Sequence, residues 1–377
     1  MKLLINTSAL SASGVTQVSV SFINECIHFP EHEYHIFLSK TIKSQLDLKL
    51  FPENFKFYSF SNHPLYGLSG LQTRAKLRRL EKEIKPDKVF SIFGPSWWTP
   101  GVPHLQGYAY PHYVYPDSPL FNILSTSQKI KISVLKIIHL FFLERNGKNY
   151  VSETSDVSDR FEQLISNKRS HFFTVNNTCN NYFLQFQFNK EKRILPEKLK
   201  NEFRFLSLCT YSVHKNLDIL NKIIPILDKN YPAHELKFVL TIDPLILEKN
   251  FTPEAKSRII NLGRIDVRDC PQLYSECDAV FLPTLLECFS ANYPEAMIME
   301  KPILTSNLSF ATTICKDAAV YFDPLNAVEI AQTLVEIQQN EGLRNQLIDN
   351  GKRVLNKLPT PTERARQYLD ICNLMTA

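Results

Sequence analysis

The sequence predicts two α/β domains, each a Rossmann-like parallel sheet with helices on both faces, the sheets facing a central cleft. Three observations lead there. The chain has 377 residues, more than one ordinary core accommodates. Short runs rich in β-branched and aromatic residues alternate with helical patterns along its whole length, the signature of parallel strands joined by crossover helices. Finally, the pattern breaks once, over the polar and charged stretch Gln185–Lys200, and then resumes. Domains are expected at 1–188 and 189–360, with a last helix, 361–377, crossing back to the first.

In the first half the expected strands are Lys2–Ser8, His35–Ser39, Phe55–Phe60, Lys88–Phe93, His104–Tyr110, Tyr150–Ser152 and Phe172–Val175. Val15–His28 and Leu71–Ile84 read as helices between them. In the second half the strands are Phe203–Leu208, Leu236–Thr241, Ile259–Leu262, Ala279–Leu282, Ile303–Thr305 and Ala319–Phe322. Asn216–Leu227, Cys270–Glu276, Glu295–Glu300, Ala327–Gln339 and Pro361–Leu374 supply the helical periodicity. Ligands of such sheets bind beyond the carboxyl ends of the strands.

Composition narrows the function. A hydrophobic fraction of 44% with 21% charged residues is that of a soluble globular protein. No run of about 18 apolar residues predicts a membrane-spanning helix, and a cytoplasmic location is expected. The net charge of +5 suits a small anionic substrate or an anionic membrane surface; it falls short of the basic stripe a nucleic-acid binder needs. Eight scattered cysteines, with no CxxC pair and no Cys/His cluster, predict neither a metal site nor a disulfide framework.

The segment Glu287-Cys-Phe-Ser-Ala-Asn-Tyr-Pro-Glu295 carries the most chemistry. It follows the strand Ala279–Leu282, and Pro294 places a helix start near residues 290–292, since proline is tolerated in a first turn. Glu287 then lies on the loop at a strand's carboxyl end. Phe289, Ser290 and Ala291 present backbone N–H groups to an anionic diphosphate. Glu295, one turn in, offers a carboxylate to two vicinal hydroxyls.

This segment resembles the Glu-x7-Glu signature of glycosyltransferase family 4 (group 1), which has the GT-B fold. The resemblance extends through Leu262-Gly-Arg264, Leu273–Pro283, Glu295-Ala-Met297, Lys301–Ser306 and Asp317–Pro324, most of the C-terminal domain. It implies that Glu287 contacts the donor sugar, Glu295 the ribose, and the backbone at Gly263, Arg264 and Ile265 the base. Glycines of the family pattern are Cys288, Ser290 and Glu300 here. Tyr211–Leu217 resembles the family's loop with a diphosphate-binding lysine, a role that falls to Lys215; Thr210 stands where the family often has arginine. Leu10–Val18 resembles the first glycine-rich loop and keeps Gly14, for close backbone approach to the diphosphate or acceptor. In the aromatic-rich segment His104–Asp117, His112 takes the role of the histidine that many members place near sugar or acceptor, because Ala109 fills the most direct register.

The expected activity is retaining transfer from a nucleotide sugar, UDP-linked on frequency, to a saccharide acceptor, without cofactor or metal. No acidic pair of the DxD kind stands near the motif, and Lys215 with the helix start would stabilise the departing diphosphate. The resemblance is strongest to bacterial enzymes building O-antigen or capsule, which implies an undecaprenyl-diphosphate-linked acceptor. A catalytically silent partner subunit, and a sugar-nucleotide epimerase or hydrolase of the same fold, are the alternatives. The segment Lys129–Leu143, apolar and flanked by lysines, reads equally as a helix docking on anionic membrane or as a buried helix.

Overall fold

The computed structural model describes residues 1–376 and divides into two compact units, one of 1–116, 124–177 and 359 onward, the other of 117–123 and 178–358. In the first unit the strands are β1 (Lys2–Thr7), β2 (Glu33–Ser39), β3 (Phe55–Phe60), β4 (Lys88–Ser91), β5 (His104–Tyr108), β6 (Asn149–Ser152) and β7 (His171–Thr174). They form one parallel sheet in the order β3-β2-β1-β4-β5-β6-β7. In the second unit β8 (Glu202–Ser207), β9 (Glu235–Leu240), β10 (Ile259–Asn261), β11 (Ala279–Leu282), β12 (Ile303–Ser306) and β13 (Ala319–Phe322) pair in parallel as β10-β9-β8-β11-β12-β13.

Both orders reverse direction once, between β1 and β4 and between β8 and β11. At such switch points the connecting helices depart to opposite faces, and a crevice opens beyond the strand ends. The central strands suit this arrangement because they are sealed on both faces: β8, Glu-Phe-Arg-Phe-Leu-Ser, is buried at every residue. Its charged side chains survive burial as an ion pair between Arg204 and Glu202, with Arg204 also donating to the Pro196 carbonyl at 2.8 Å.

Phe205, Phe238, Phe281, Leu304, Ile224 and Leu334 anchor the core of the second unit. In the first, Phe22, Ile36 and Phe90 gather around the helix Pro361–Leu374. That helix begins with a reciprocal cap, in which the Thr360 hydroxyl accepts from the Glu363 N–H at 3.2 Å and the Glu363 carboxylate accepts from the Thr360 N–H at 2.8 Å. Tyr368 meets Phe90 at 5.1 Å and Phe22 at 5.5 Å, and the fully buried Arg364 donates to Ser21 Oγ at 2.8 Å and to Asn177.

The passage between units lies at Asn177/Thr178, ahead of the 188/189 boundary expected from composition. Gln185–Lys200, read as a linker, is a strap on the second unit. Backbone N–H groups of Ile194 and Leu195 donate to Glu276 at 3.0 and 2.7 Å, and Lys198 pairs with Asp278 at 2.6 Å. Within the first unit, the helix Thr126–Asn146 fully buries only His139, Leu143 and Asn146, while Ile132, Leu135, Ile138, Leu140 and Phe142 are half-buried, so the helix is packed along one side and exposed along the other.

Candidate functional site

Two loops meet at the switch point of the second sheet. The loop after β8 closes with a tight turn, Val213–Lys215, and then Asn216 in the left-handed region at φ +54°. The Asn216 side-chain amide donates to the carbonyls of Pro283, at 3.1 Å, and Pro324, at 2.9 Å. In the loop after β11, the Leu285 N–H donates to the His214 carbonyl at 2.7 Å. The Thr284 hydroxyl stands 3.0 Å from that carbonyl and 3.4 Å from Glu287 Oε1, and can donate to either. Ser118 Oγ donates to the Leu285 carbonyl at 2.7 Å.

These ties bring Lys215 and Glu287, 72 residues apart, into an ion pair with side chains only 18% and 14% exposed. Burial alone would lower the ammonium's pKa, but the Glu287 carboxylate outweighs it and Lys215 is held above its ordinary value. The ammonium is charged throughout the physiological range. Beside it lies a small, shallow hollow lined by Ser207, Cys209, Thr284 and Ser290 among others. Burial raises the Cys209 thiol to about 11, partly offset by Lys215, so it is a neutral wall there and no nucleophile.

The helix after the motif runs Asn292–Ile298, with Pro294 in its first turn and Ala291 as its cap. Backbone N–H groups of Phe289, Ser290 and Ala291 have no partner among the described residues. Glu295 Oε2 and Asn292 Oδ1 share the proton of the buried Tyr274 hydroxyl, at 3.0 and 2.9 Å, and Asn292 in turn donates to the Leu208 carbonyl at 3.1 Å. Burial lifts the Glu295 carboxyl to about 7, against the lowering effect of the Tyr274 bond. Just past the helix end, Glu300 has a φ of +52°, a backbone state that a glycine would adopt more readily.

Gly263 follows β10 and is buried at φ +68°, a backbone state that favours glycine. Arg264 next to it is exposed. Eight of the ten expected site residues therefore sit in the second unit: Lys215, Gly263, Arg264, Glu287, Phe289, Ser290, Ala291 and Glu295. Gly14 and His112 belong to the first. Gly14 is the second residue of the helix Ser13–Glu25, with open space where a Cβ would stand. His112 lies half-buried in the short helix Pro111–Val114 after β5, and burial lowers its pKa. Tyr274, Thr284 and Asn292 are positioning residues that motif spacing did not single out.

Residues 188–354 match the family model of the glycosyl transferases group 1. The chain carries a group 1 glycosyltransferase domain. Solved structures extend the likeness to the whole chain. HepE of Anabaena, in complex with UDP and glucose, is 15% identical with a TM-score of 0.73 over 100% of both chains. WaaG, a glycosyltransferase involved in lipopolysaccharide biosynthesis, is 12% identical at 0.73, again over 100% of both. An α,α-trehalose-phosphate synthase (UDP-forming) of Burkholderia vietnamiensis is 8% identical at 0.74 over 98% of each. At these identities the likeness establishes the fold, GT-B. No protein of curated function matches this sequence.

Proposed function

We propose that this glycosyltransferase moves a sugar, with retention and without a metal, from a UDP-sugar to a lipid-linked saccharide during assembly of a bacterial surface polysaccharide. The observation that carries the reading is the Lys215–Glu287 pair at the β8/β11 switch point, next to three unclaimed backbone N–H groups. A nucleoside diphosphate is the ligand such donors and a permanent ammonium recognise. As the bond between sugar and diphosphate breaks, charge grows on the departing phosphate, and Lys215 with the N–H groups of 289–291 stabilises it. Glu287 accepts from hydroxyls of the transferred sugar, Glu295 from the ribose, and the backbone at Gly263 and Arg264 borders the base.

Support for the UDP donor comes from HepE, seen with UDP and glucose, and from the UDP-forming synthase; support for a surface-polysaccharide product comes from WaaG. Gly14 and His112 are the first unit's candidates for the diphosphate and for sugar or acceptor. The test is turnover with a panel of nucleotide sugars and saccharide acceptors, with and without EDTA. A UDP-sugar is expected to react at an unchanged rate in EDTA, with the donor's anomeric configuration in the product. A rate that vanishes in EDTA and returns with Mn²⁺ or Mg²⁺ rejects metal independence. Donor binding without turnover on any acceptor indicates the silent partner subunit instead.

A further inference from the structure

The helix Thr126–Asn146 is apolar over much of its length, half-buried along one side and exposed along the other. Ile130, Val134, Ile137 and Phe141 are all exposed, Ile137 by 70%. Their spacing of four, three and four residues puts them in one stripe about 16 Å long, at 1.5 Å rise per residue. A second exposed pair, Leu68 (81%) and Leu71, lies in the first turns of the helix Gly67–Ile84. The two helices are neighbours: the Arg74 guanidinium stands 5.9 Å from the Phe142 ring centre, and Trp97 packs on Phe142 at 5.1 Å and on His63, beside Tyr66, at 5.6 Å. Six large apolar side chains are thus exposed on two neighbouring helices, more than monomeric proteins ordinarily leave open in one region.

Charge identifies what covers it. Within the first unit, residues 54–80 and 124–143 contain no aspartate or glutamate, whereas Lys129, Lys131 and Arg78 are exposed there. Arg78 continues the Leu68, Leu71, Ala75 face of its helix by a further three residues. A second copy of the chain seated on this face would bring like charges together, which opposes an isologous dimer. An anionic bilayer accepts both features at once: apolar side chains enter the headgroup boundary, and lysine and arginine meet the phosphates.

We propose that Leu68, Leu71, Ile130, Val134, Ile137 and Phe141, with the basic residues around them, form a docking surface for an anionic lipid bilayer. No helix among the described residues is long and apolar enough to span a membrane, and the attachment proposed is peripheral. The proposal deepens the lipid-linked acceptor of the functional reading, but its test needs no turnover. The full chain is sedimented with vesicles of phosphatidylcholine alone and of phosphatidylcholine mixed with phosphatidylglycerol. Wild type is expected to bind the anionic vesicles at least tenfold more tightly, with binding weakening as salt rises. The double variant Ile130→Glu, Ile137→Glu should lose that binding at least tenfold, and Lys129→Gln with Lys131→Gln should lose its salt-sensitive part. Both should keep wild-type melting temperatures and donor turnover with a water-soluble acceptor, since the changed side chains are exposed. Wild type that ignores anionic lipid, or variants that bind like wild type, would overturn the proposal. So would a wild-type dimer in sedimentation velocity that the glutamate variant splits.

Discussion

Lys215 and Glu287 illustrate how much of this site rests on single side chains. A pair so little exposed interacts more strongly than one in open solvent, and removing one member strands the other. Lys215→Ala should therefore lower kcat/KM by about one to two powers of ten, the equivalent of ~1.5–3 kcal/mol for a charge-assisted contact, with most of the loss in kcat. Lys215→Arg keeps the charge and should recover part of it; a kcat/KM within twofold of wild type for the alanine variant would remove Lys215 from the phosphate role. Glu295 makes a different prediction. Its carboxyl titrates at about 7 in the fold against 4.5 ordinarily, so the folded chain keeps a proton that the unfolded chain releases. Stability contributed this way is full below pH 4.5 and is lost as pH rises through 7. Glu295→Gln, which can still accept from Tyr274, should match wild type in melting temperature at pH 4 and exceed it at pH 8 by a few degrees, at about 2–4 °C per kcal/mol. The same variant should bind the nucleotide sugar more weakly. Equal melting curves at both pH values would show that Glu295 carries no such strain.

The sheet elements were the most legible part of the chain, for a physical reason. A parallel strand sealed by helices on both faces must be apolar at nearly every position, so β11, buried throughout, has the bounds its apolar run predicts. The edge strands β3 and β13 are only partly buried, but each begins and ends on a buried apolar residue and keeps its expected bounds. Helices with one thin apolar stripe were harder to see. Glu341–Leu355 buries only Leu347, Asn350, Gly351 and Val354, and Ser155–Glu162 is a mere two turns, too little periodicity to stand out. Within the site, Glu287 and Glu295 could be placed from the strand end and helix start around them and Lys215 from the resemblance of its loop, and the fold brings Lys215 and Glu287 into one ion pair. Tyr274 was not, since its role depends on the helix Cys270–Ser275 folding back to meet Asn292, and no spacing encodes that meeting. Thr284 and His214 escaped for the same reason: the contact between them is made by a backbone carbonyl, to which the identity of residue 214 is silent.

At the scale of the molecule, charge misled where apolar patterning did not. The polar stretch Gln185–Lys200 has a linker's composition, but it is tied to the second unit: Lys192 with Asp269, Lys198 with Asp278, and the backbone of Ile194 and Leu195 with Glu276. The two units also exchange chain. The first is completed by the last helix, so residues far apart in sequence share its core, and Arg364 is where that closure is most exposed to mutation. Its guanidinium is 1% exposed and bonds Ser21 and Asn177, from the first helix and from the end of the unit's central segment. Arg364→Met keeps apolar bulk but leaves those buried acceptors unanswered, a loss of about 3–5 kcal/mol if the group behaves as other broken buried polar pairs do. Because the units have separate cores, the damage should be local. Hydrogen exchange followed by mass spectrometry should show faster exchange in the helices Ser13–Glu25 and Pro361–Leu374 and in β1 and β4. Strands β8 to β13 should exchange as in wild type. Acceleration spread evenly over both sheets would mean that the last helix supports the whole chain as one cooperative body, and that the division into two independently stable units is wrong.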